Sequence, residues 1–259
     1  MGDASITVMG RLSDRLTAAL RWVGYRAYFR LVRLNYERRL LSRMNETAAG
    51  TIRTYELVRR HADDPMLAAI DSFSDPDAVI YDVGANIGIY AAALASVAPR
   101  RRVVAVEPAP RNATHLRATV ALNGLGDRVE VRRCGLGDTD ERRSFYVSTY
   151  PELSGFDRES ATRWEATVAE RTTVRVRTLD GLAATAPEPD VVKIDVEGDA
   201  PAVLAGAEET LATRRPALFI ETHDEGFGDL STAKLRARLR DAGYRIAERE
   251  AYWRCLPRS

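Results

Sequence analysis

Short runs of apolar residues alternate along the chain with stretches in which apolar residues recur every three or four positions. The short runs predict strands, and the helical spacing predicts helices. The predicted strands are Val79–Val83, Val103–Val106, Val129–Val131, Val191–Ile194 and Leu218–Ile220, and the predicted helices are Ile87–Val97, Arg111–Leu122, Ala200–Thr213 and Thr232–Ala242. Such an alternation is typical of an α/β fold with a mostly parallel central sheet flanked by helices.

Two further segments, Arg143–Val147 and Thr173–Val176, predict strands that we expect to form an antiparallel pair. The segment between them, Tyr150–Glu170, is polar and contains the aromatic residues Phe156 and Trp164. Two interpretations of this segment stay open: a lid over a substrate, or an ordinary surface loop.

The beginning of the chain has a different pattern. Arg11–Met44 contains no proline and one glycine, and its apolar residues have helical spacing, which predicts one or two amphipathic helices. Thr47–Ala69 is also predicted to be helical, and the Ser, Pro and Asp residues of Asp71–Asp77 are typical of a linker. We therefore expect an N-terminal helical extension over residues 1–75 and one α/β domain over residues 76–259.

The predicted N-terminal helices are strongly basic. Arg11–Met44 holds nine arginines, which are opposed only by Asp14 and Glu37. Two interpretations stay open. The arginines could form a solvated face of helices packed on the domain or on a sister subunit of a homo-oligomer, or they could contact an anionic membrane surface or an anionic substrate.

Over the whole chain, 38 Lys and Arg residues face 37 Asp and Glu residues, so the net charge is +1. No overall field draws such a protein to a polyanion, and we predict no nucleic-acid partner. Cys134 and Cys255 show no C-x-x-C spacing, which favours reduced thiols in a cytoplasmic protein over a zinc site. Because no run approaches the roughly 18 apolar residues of a spanning helix, we expect membrane contact only at the periphery, through the Arg-rich segment.

A glycine-containing segment, Asp82–Gly88, follows the first predicted strand of the domain and opens a helix. Backbone N–H groups are unpaired at such a turn, and glycine lets a ligand approach the backbone. Glu107 ends the second strand, 25 positions after Asp82, where a carboxylate can accept hydrogen bonds from both hydroxyls of a ribose. The predicted cofactor-binding residues are Asp82, Gly84, Ala85, Asn86, Gly88 and Glu107.

The chemistry of this segment favours S-adenosylmethionine as the cofactor. A dinucleotide enzyme would ordinarily show G-x-G-x-x-G, and that pattern is absent, which disfavours a nicotinamide-dependent oxidoreductase. The acidic Asp82 suits a cationic sulfonium and amino-acid ligand better than a phosphate. Asp138, which follows the third strand, is a further candidate, as an acceptor from the adenine amine; a turn with an aspartate is the alternative.

The order of motifs resembles that of FkbM-type methyltransferases. The matching segments are Asp82–Gly88, Glu107–Pro108, Thr178–Asp180, Lys193–Gly198 and Glu221–His223. The resemblance runs from about Val79 to His223 and implies a Rossmann-like class I methyltransferase fold that binds S-adenosylmethionine over residues 76–259. It also implies methyl transfer to an oxygen, commonly a hydroxyl of a sugar, a glycan or a small metabolite. One departure is Asp199-Ala200-Pro201 after Gly198, where Pro201 fits the first turn of a helix.

Methylation of a hydroxyl requires a base, and the predicted catalytic residues are Asp195, Glu197 and His223, which follow two of the strands. Asp195 could instead cap a helix, with Lys193 as its ionic partner. His223 could instead hydrogen-bond the substrate or lie exposed. His61 and His115 fall in predicted helices, and we expect both to be exposed.

A divalent ion could be ligated by Asp195, Glu197, Glu221 and His223 together, but no compact ligand motif supports this, and we predict no metal.

Two other functions stay open. One is a nucleic-acid methyltransferase, which is disfavoured because the chain lacks an N-P-P-[YF] segment. The other is a noncatalytic binding module adsorbed to a membrane through the Arg-rich helices.

Overall fold

The computed structural model describes residues 24, 27–28, 30–58, 61–150, 153–163, 166–196, 198–222 and 229–258 of the 259-residue chain. Residues 30–38 form helix α1. The elements that follow are β1 (Arg43–Thr47), β2 (Gly50–Thr54), α2 (Pro65–Phe73), β3 (Val79–Val83), α3 (Ile89–Val97), β4 (Arg102–Val106), α4 (Pro110–Leu122), β5 (Val129–Arg132), β6 (Gly135–Leu136), β7 (Glu141–Ser148), β8 (Val168–Arg177), α5 (Leu179–Ala183), β9 (Val191–Ile194), α6 (Ala200–Ala205), α7 (Glu208–Thr213), β10 (Ala217–Glu221), α8 (Asp229–Asp241), β11 (Tyr244–Glu248) and β12 (Tyr252–Pro257).

The central sheet has seven strands in the order β11-β12-β10-β9-β3-β4-β5. The five strands from β10 to β5 are parallel, and β12 and β11 are added antiparallel. Strands β3 and β9, at the centre, are buried along their whole length. Burial on both faces requires continuous apolar runs, which is why these strands could be read from the sequence. The predicted α/β fold with a mostly parallel sheet is confirmed.

Side chains of the central strands alternate between two core layers. On β3, Ile80 belongs to the layer that contains α3, whereas Tyr81 belongs to the layer that contains α6 and α8. By the same alternation Asp82 faces α3, and so does Lys193, its partner in the β3–β9 register. Glu221 falls on the α3 side of β10, two positions beyond Phe219. Ionisable side chains therefore meet on one face, at the carboxyl edge of the sheet.

The predicted helix Ala200–Thr213 is two short helices, α6 and α7, with a break at Gly206. A Cβ atom on Gly206 would lie 2.1 Å from the carbonyl oxygen of Gly137. The break therefore lets the backbone pass against the loop after β6, and no side chain fits there.

The prediction of a helix over Thr47–Ala69 is wrong for its first part, because β1 and β2 form a hairpin whose turn carries Gly50 at φ +121°. Ile52 enters the same core layer as α3, so tertiary burial of alternate residues outweighs helical spacing. The predicted linker Asp71–Asp77 is wrong in its first residues, because α2 continues to Phe73. The extension is thus a mixture of helix and hairpin.

Residues 11–23, 25, 26 and 29 of the Arg-rich segment lie outside the described residues, and its two interpretations, including the homo-oligomer, stay predictions. In the part of the chain that the structure describes, no helix is long and apolar enough to cross a membrane.

A second sheet, ordered β6-β8-β7, lies beside the carboxyl edge of the first. Strands β7 and β8 are antiparallel, as predicted. After β7 the chain folds back, and the backbones of Tyr146 and Gly155 exchange two hydrogen bonds of 2.9 and 3.1 Å. This return places part of Tyr150–Glu170 near the carboxyl ends of the central strands; Trp164 lies outside the described residues.

Candidate active site

A cavity of about 380 Å³ opens at the carboxyl edge of the parallel strands. Its wall includes the end of β3, the turn into α3, the ends of β4, β9 and β10, and the start of β6. This is the edge at which ligands bind in open α/β sheets.

The turn from β3 to α3 brings main chain to the cavity wall. Gly84 and Gly88 have φ values of +79° and +87°, and Asn86 has +48°. A Cβ atom on Gly84 would lie 1.8 Å from the carbonyl oxygen of Asp195, and one on Gly88 would lie 2.3 Å from Leu116 Cδ1. Both glycines are therefore required by conformation and by packing. Of the predicted residues, Gly84, Ala85 and Asn86 line the cavity, whereas Gly88 lies behind it against α4.

Glu107 lines the cavity at the end of β4 and is 5% exposed. Its Oε2 accepts from the Asn86 N–H at 2.9 Å, and its Oε1 accepts from the Ala109 N–H at 2.8 Å. Burial raises the pKa of Glu107 to about 7, although these two backbone bonds act in the opposite direction. Each oxygen keeps a second lone pair, so the carboxylate can accept from two ribose hydroxyls.

Asp82 is fully buried beneath the turn and is not part of the cavity wall. Lys193, 2% exposed, places its Nζ 2.9 Å from Asp82 Oδ1, 3.2 Å from Asp195 Oδ2 and 3.2 Å from the carbonyl oxygen of Gly84. Burial alone would lower the pKa of Lys193, but Asp82, Asp195 and Glu221 outweigh it and the pKa is raised. Lys193 is therefore a permanent cation that ties β9 to the turn.

Asp195 faces the cavity, with about one third of its side chain exposed. Its backbone N–H donates to the Val83 carbonyl at 3.0 Å, which continues the sheet beyond β9. The alternative that Asp195 caps the next helix is wrong, because Asp199 holds that position. Glu197 and His223 lie outside the described residues, and within those residues no group of His, Cys, Asp and Glu could hold a metal ion.

Asp138 is exposed and does not line the cavity, so the structure does not bring it to the predicted adenine position. The reason is that β6 pairs with β8 and Gly137 donates to the Arg177 carbonyl at 2.9 Å, which carries the chain away from the cavity. The preceding residues line it instead, namely Cys134, Gly135 and Leu136. Their apolar surface suits a flat aromatic base.

Residues 82–246, which include most of the cavity wall, match the model of the Methyltransferase FkbM domain. The chain belongs to the FkbM methyltransferase family. Its cofactor is S-adenosylmethionine. The side chain of Asn86 fits this ligand, because the residue lines the cavity and its buried oxygen has no hydrogen-bond partner among the described residues, which leaves an acceptor for a ligand donor.

Three relatives illustrate the similarity. The chain is 27% identical over 192 residues to 2-O-methyltransferase NoeI of Sinorhizobium fredii, covering 68% of this chain and 74% of NoeI. It is 28% identical over 197 residues to 31-O-demethyl-FK506 methyltransferase FkbM of Streptomyces tacrolimicus, covering 66% and 74%. The antimetabolite synthetase AmbE of Pseudomonas aeruginosa is 30% identical over 186 residues, which are 59% of this chain but only 9% of AmbE.

The crystal structure of a methyltransferase FkbM from Methylobacillus flagellatus KT resembles the fold, with a TM-score of 0.50 and 20% identity. The match covers 71% of this chain and 45% of that chain. The predicted Rossmann-like class I methyltransferase fold is confirmed.

The cavity at the carboxyl edge of the sheet is closed in part by the segment after β7. Residues 153–156 line its wall, and the Phe156 ring packs edge-on against Phe145, with 5.1 Å between the ring centroids. A Cβ atom on Gly135 would lie 2.4 Å from Phe156 Cζ, so the ring covers the start of β6 closely. This position favours the lid over the surface loop.

Sequence reasoning missed Glu56 and His61, which line the cavity but precede the residues that match the FkbM model. His61 was expected to be an exposed helical residue; it lies in the loop between β2 and α2 and is about one third exposed. His115 was also expected to be exposed; it is buried against the Tyr36 ring, with 4.6 Å between ring centroids. A signal existed in Asp64-Pro65, which is typical of a helix start and would have ended the predicted helix before α2.

Proposed function

We propose that this chain is an S-adenosylmethionine-dependent O-methyltransferase that acts on a hydroxyl of a sugar, a glycan or a small metabolite. The observation that carries the proposal is the contact between Glu107 and the Asn86 amide at the wall of one cavity. This contact joins the two cofactor motifs of an FkbM-family chain at the carboxyl edge of the sheet.

Each part of the wall has a proposed role in cofactor binding. Glu107 accepts from the ribose hydroxyls, and the main chain of Gly84–Asn86 lies along the amino-acid part of the ligand. Asp82 acts from beneath, because its ion pair with Lys193 holds the turn in place. The cofactor supplies an electrophilic methyl group on its sulfonium.

Two observations support a hydroxyl acceptor. The names of two relatives specify transfer to oxygen. In addition, Lys193 is the one Lys or Arg among the described cavity residues, and it is already paired with Asp82 and Asp195, so it is not left for an anionic ligand. Such a wall disfavours an anionic acceptor and therefore disfavours the nucleic-acid alternative. Asp195, Glu197 and His223 stay the proposed groups around the reacting hydroxyl.

The test is calorimetric titration with S-adenosylmethionine, S-adenosylhomocysteine and NAD. We expect both adenosyl ligands to bind, NAD not to bind, and Glu107→Ala to weaken adenosyl-ligand binding by at least about tenfold, since two ribose hydrogen bonds are lost. Glu130→Ala is the control, because Glu130 lies on the adjacent β5 and its side chain is 47% exposed.

A tritiated methyl donor then identifies the acceptor class, with pools of neutral methyl glycosides and of total RNA as the two acceptors. Label in the glycosides supports the proposal. Label in RNA alone, or binding of NAD in place of the adenosyl ligands, contradicts it.

A further inference from the structure

His61, Asp64 and Tyr90 form a connected group beside the cavity. None of them belongs to the motif segments that resemble the FkbM-type methyltransferases. Tyr90 Oη donates to Asp64 Oδ1 at 2.6 Å, and His61 Nδ1 lies 3.4 Å from Asp64 Oδ2. His61 and Tyr90 both line the cavity. A carboxylate thus stands behind an imidazole that faces a ligand site.

Asp64 is held in place by more than these two side chains. It is the N-cap of α2, and its Oδ1 accepts from the backbone N–H groups of Met66 and Leu67 at 3.1 and 2.9 Å. Burial acts to raise the pKa of Asp64, but hydrogen bonds from His61, Leu67 and Tyr90 outweigh it, and the pKa is lowered. Asp64 is therefore an oriented anion at neutral pH.

An anion beside Nδ1 selects the imidazole tautomer that carries its proton on Nδ1. The Nε2 atom then keeps its lone pair, which is the form that a general base requires. Because the side chain of His61 is about one third exposed and lines the cavity, the ring is accessible to a ligand.

Tyr90 connects this group to the reacting edge of the sheet. The Nζ of Lys193 lies 4.8 Å from the centre of the Tyr90 ring, and the same Nζ contacts Asp195. A chain of contacts through Asp64, Tyr90 and Lys193 therefore links His61 to Asp195, and both line the same cavity.

We propose that His61 is the general base for the acceptor hydroxyl and that Asp64 is its positioning residue. The proposal rests on the proposed function. The hydroxyl oxygen forms the new bond to the methyl carbon as the carbon–sulfur bond breaks. The electron pair of that bond stays on sulfur, and the hydroxyl proton passes to Nε2 of His61. The resulting imidazolium is stabilised by Asp64 and returns its proton to solvent.

The other charged groups on the wall are less suited to this role. Asp195 shares its Oδ2 with Lys193, and Lys193 remains protonated.

The first experiment measures the tautomer of His61 by long-range ¹H–¹⁵N correlation spectra of the unliganded protein. The chain has three histidines, so His61→Gln assigns the signal. We expect the Nδ1–H tautomer in the wild type and a shift towards the Nε2–H tautomer in Asp64→Asn. Asparagine also caps helices, so α2 keeps its cap. The control is Asp63→Asn, an adjacent exposed carboxylate, which should not change the tautomer. An Nε2–H tautomer in the wild type overturns the proposal.

The second experiment measures methyl transfer to the pool of methyl glycosides. His61→Gln should lower turnover by about 10² to 10⁴. Asp64→Asn, which keeps the imidazole, should lower turnover less. Binding of S-adenosylhomocysteine should change less than about twofold in either variant. Wild-type turnover in His61→Gln overturns the assignment of the base and leaves the methyltransferase intact, whereas absence of adenosyl-ligand binding to the wild type defeats the proposed function itself.

Discussion

The two halves of the cavity are built in different ways. The half that we propose for the cofactor consists of main chain in unusual conformations and of buried groups such as Glu107, all within the residues that match the FkbM model. The half that we propose for the acceptor consists of side chains from distant segments, including His61 before that range and Phe156 after β7. Main-chain geometry tolerates few sequences, whereas a wall of side chains can vary with the ligand. Such a division would let one cofactor site serve different acceptors.

The largest expected effect comes from the residue that joins both halves. Lys193→Met leaves Asp82 buried without its cation, and we expect a loss of about 4 kcal/mol in the free energy of unfolding. The measurement is urea denaturation. The double variant Asp82→Asn/Lys193→Met removes both charges and should recover part of the loss. A single variant within about 1 kcal/mol of wild type would mean that the ion pair does not hold the halves together.

A smaller effect is expected in the cofactor half alone. Gly84→Ala meets the Asp195 carbonyl oxygen at a positive φ, which should cost about 3 kcal/mol of stability and weaken S-adenosylhomocysteine binding. Gly124→Ala is the matched control, because Gly124 also has a positive φ of +65° but open space around its Cβ position. There we expect about 1 kcal/mol and unchanged binding. Equal losses in the two variants would show that close packing against β9 is unimportant.

The smallest effect is a pH dependence that belongs to Glu107. Because burial raises its pKa to about 7, the folded chain holds a proton between about pH 4.5 and 7 that the unfolded chain has released. The free energy of unfolding of the unliganded protein should therefore fall as the pH rises through this window, by about 2 kcal/mol. Urea denaturation at pH 5 and pH 8 measures it, and Glu107→Gln should remove the slope while Glu130→Gln keeps it.

The same halves differ in how far they could be predicted. The strands beside Asp82 and Glu107 are continuous apolar runs, and period-two alternation from Ile80 places Asp82 and Lys193 on one face. The apolar runs are local, so the sequence alone shows them, whereas the pairing of Asp82 with Lys193 requires the register of β3 against β9.

The rest depends on contacts between distant segments. The hairpin β1–β2 reads as helix because its polar and apolar spacing is ambiguous, and only packing of Ile52 against the α3 layer decides it. Asp138 was misplaced because pairing of β6 with β8, about 40 positions later, sets the direction of the chain. His61 reaches the cavity only through the fold of the N-terminal extension.

The turn of the N-terminal hairpin has a consequence for protein engineering. The Ala48 N–H donates to the carbonyl oxygen of His61 at 2.8 Å, so the hairpin and the loop before α2 form one unit. A chimaera that exchanges residues 43–64 between relatives would replace a wall of the cavity while leaving residues 82–107 untouched. A truncation drawn at the first family motif would instead keep every motif and open the cavity to water.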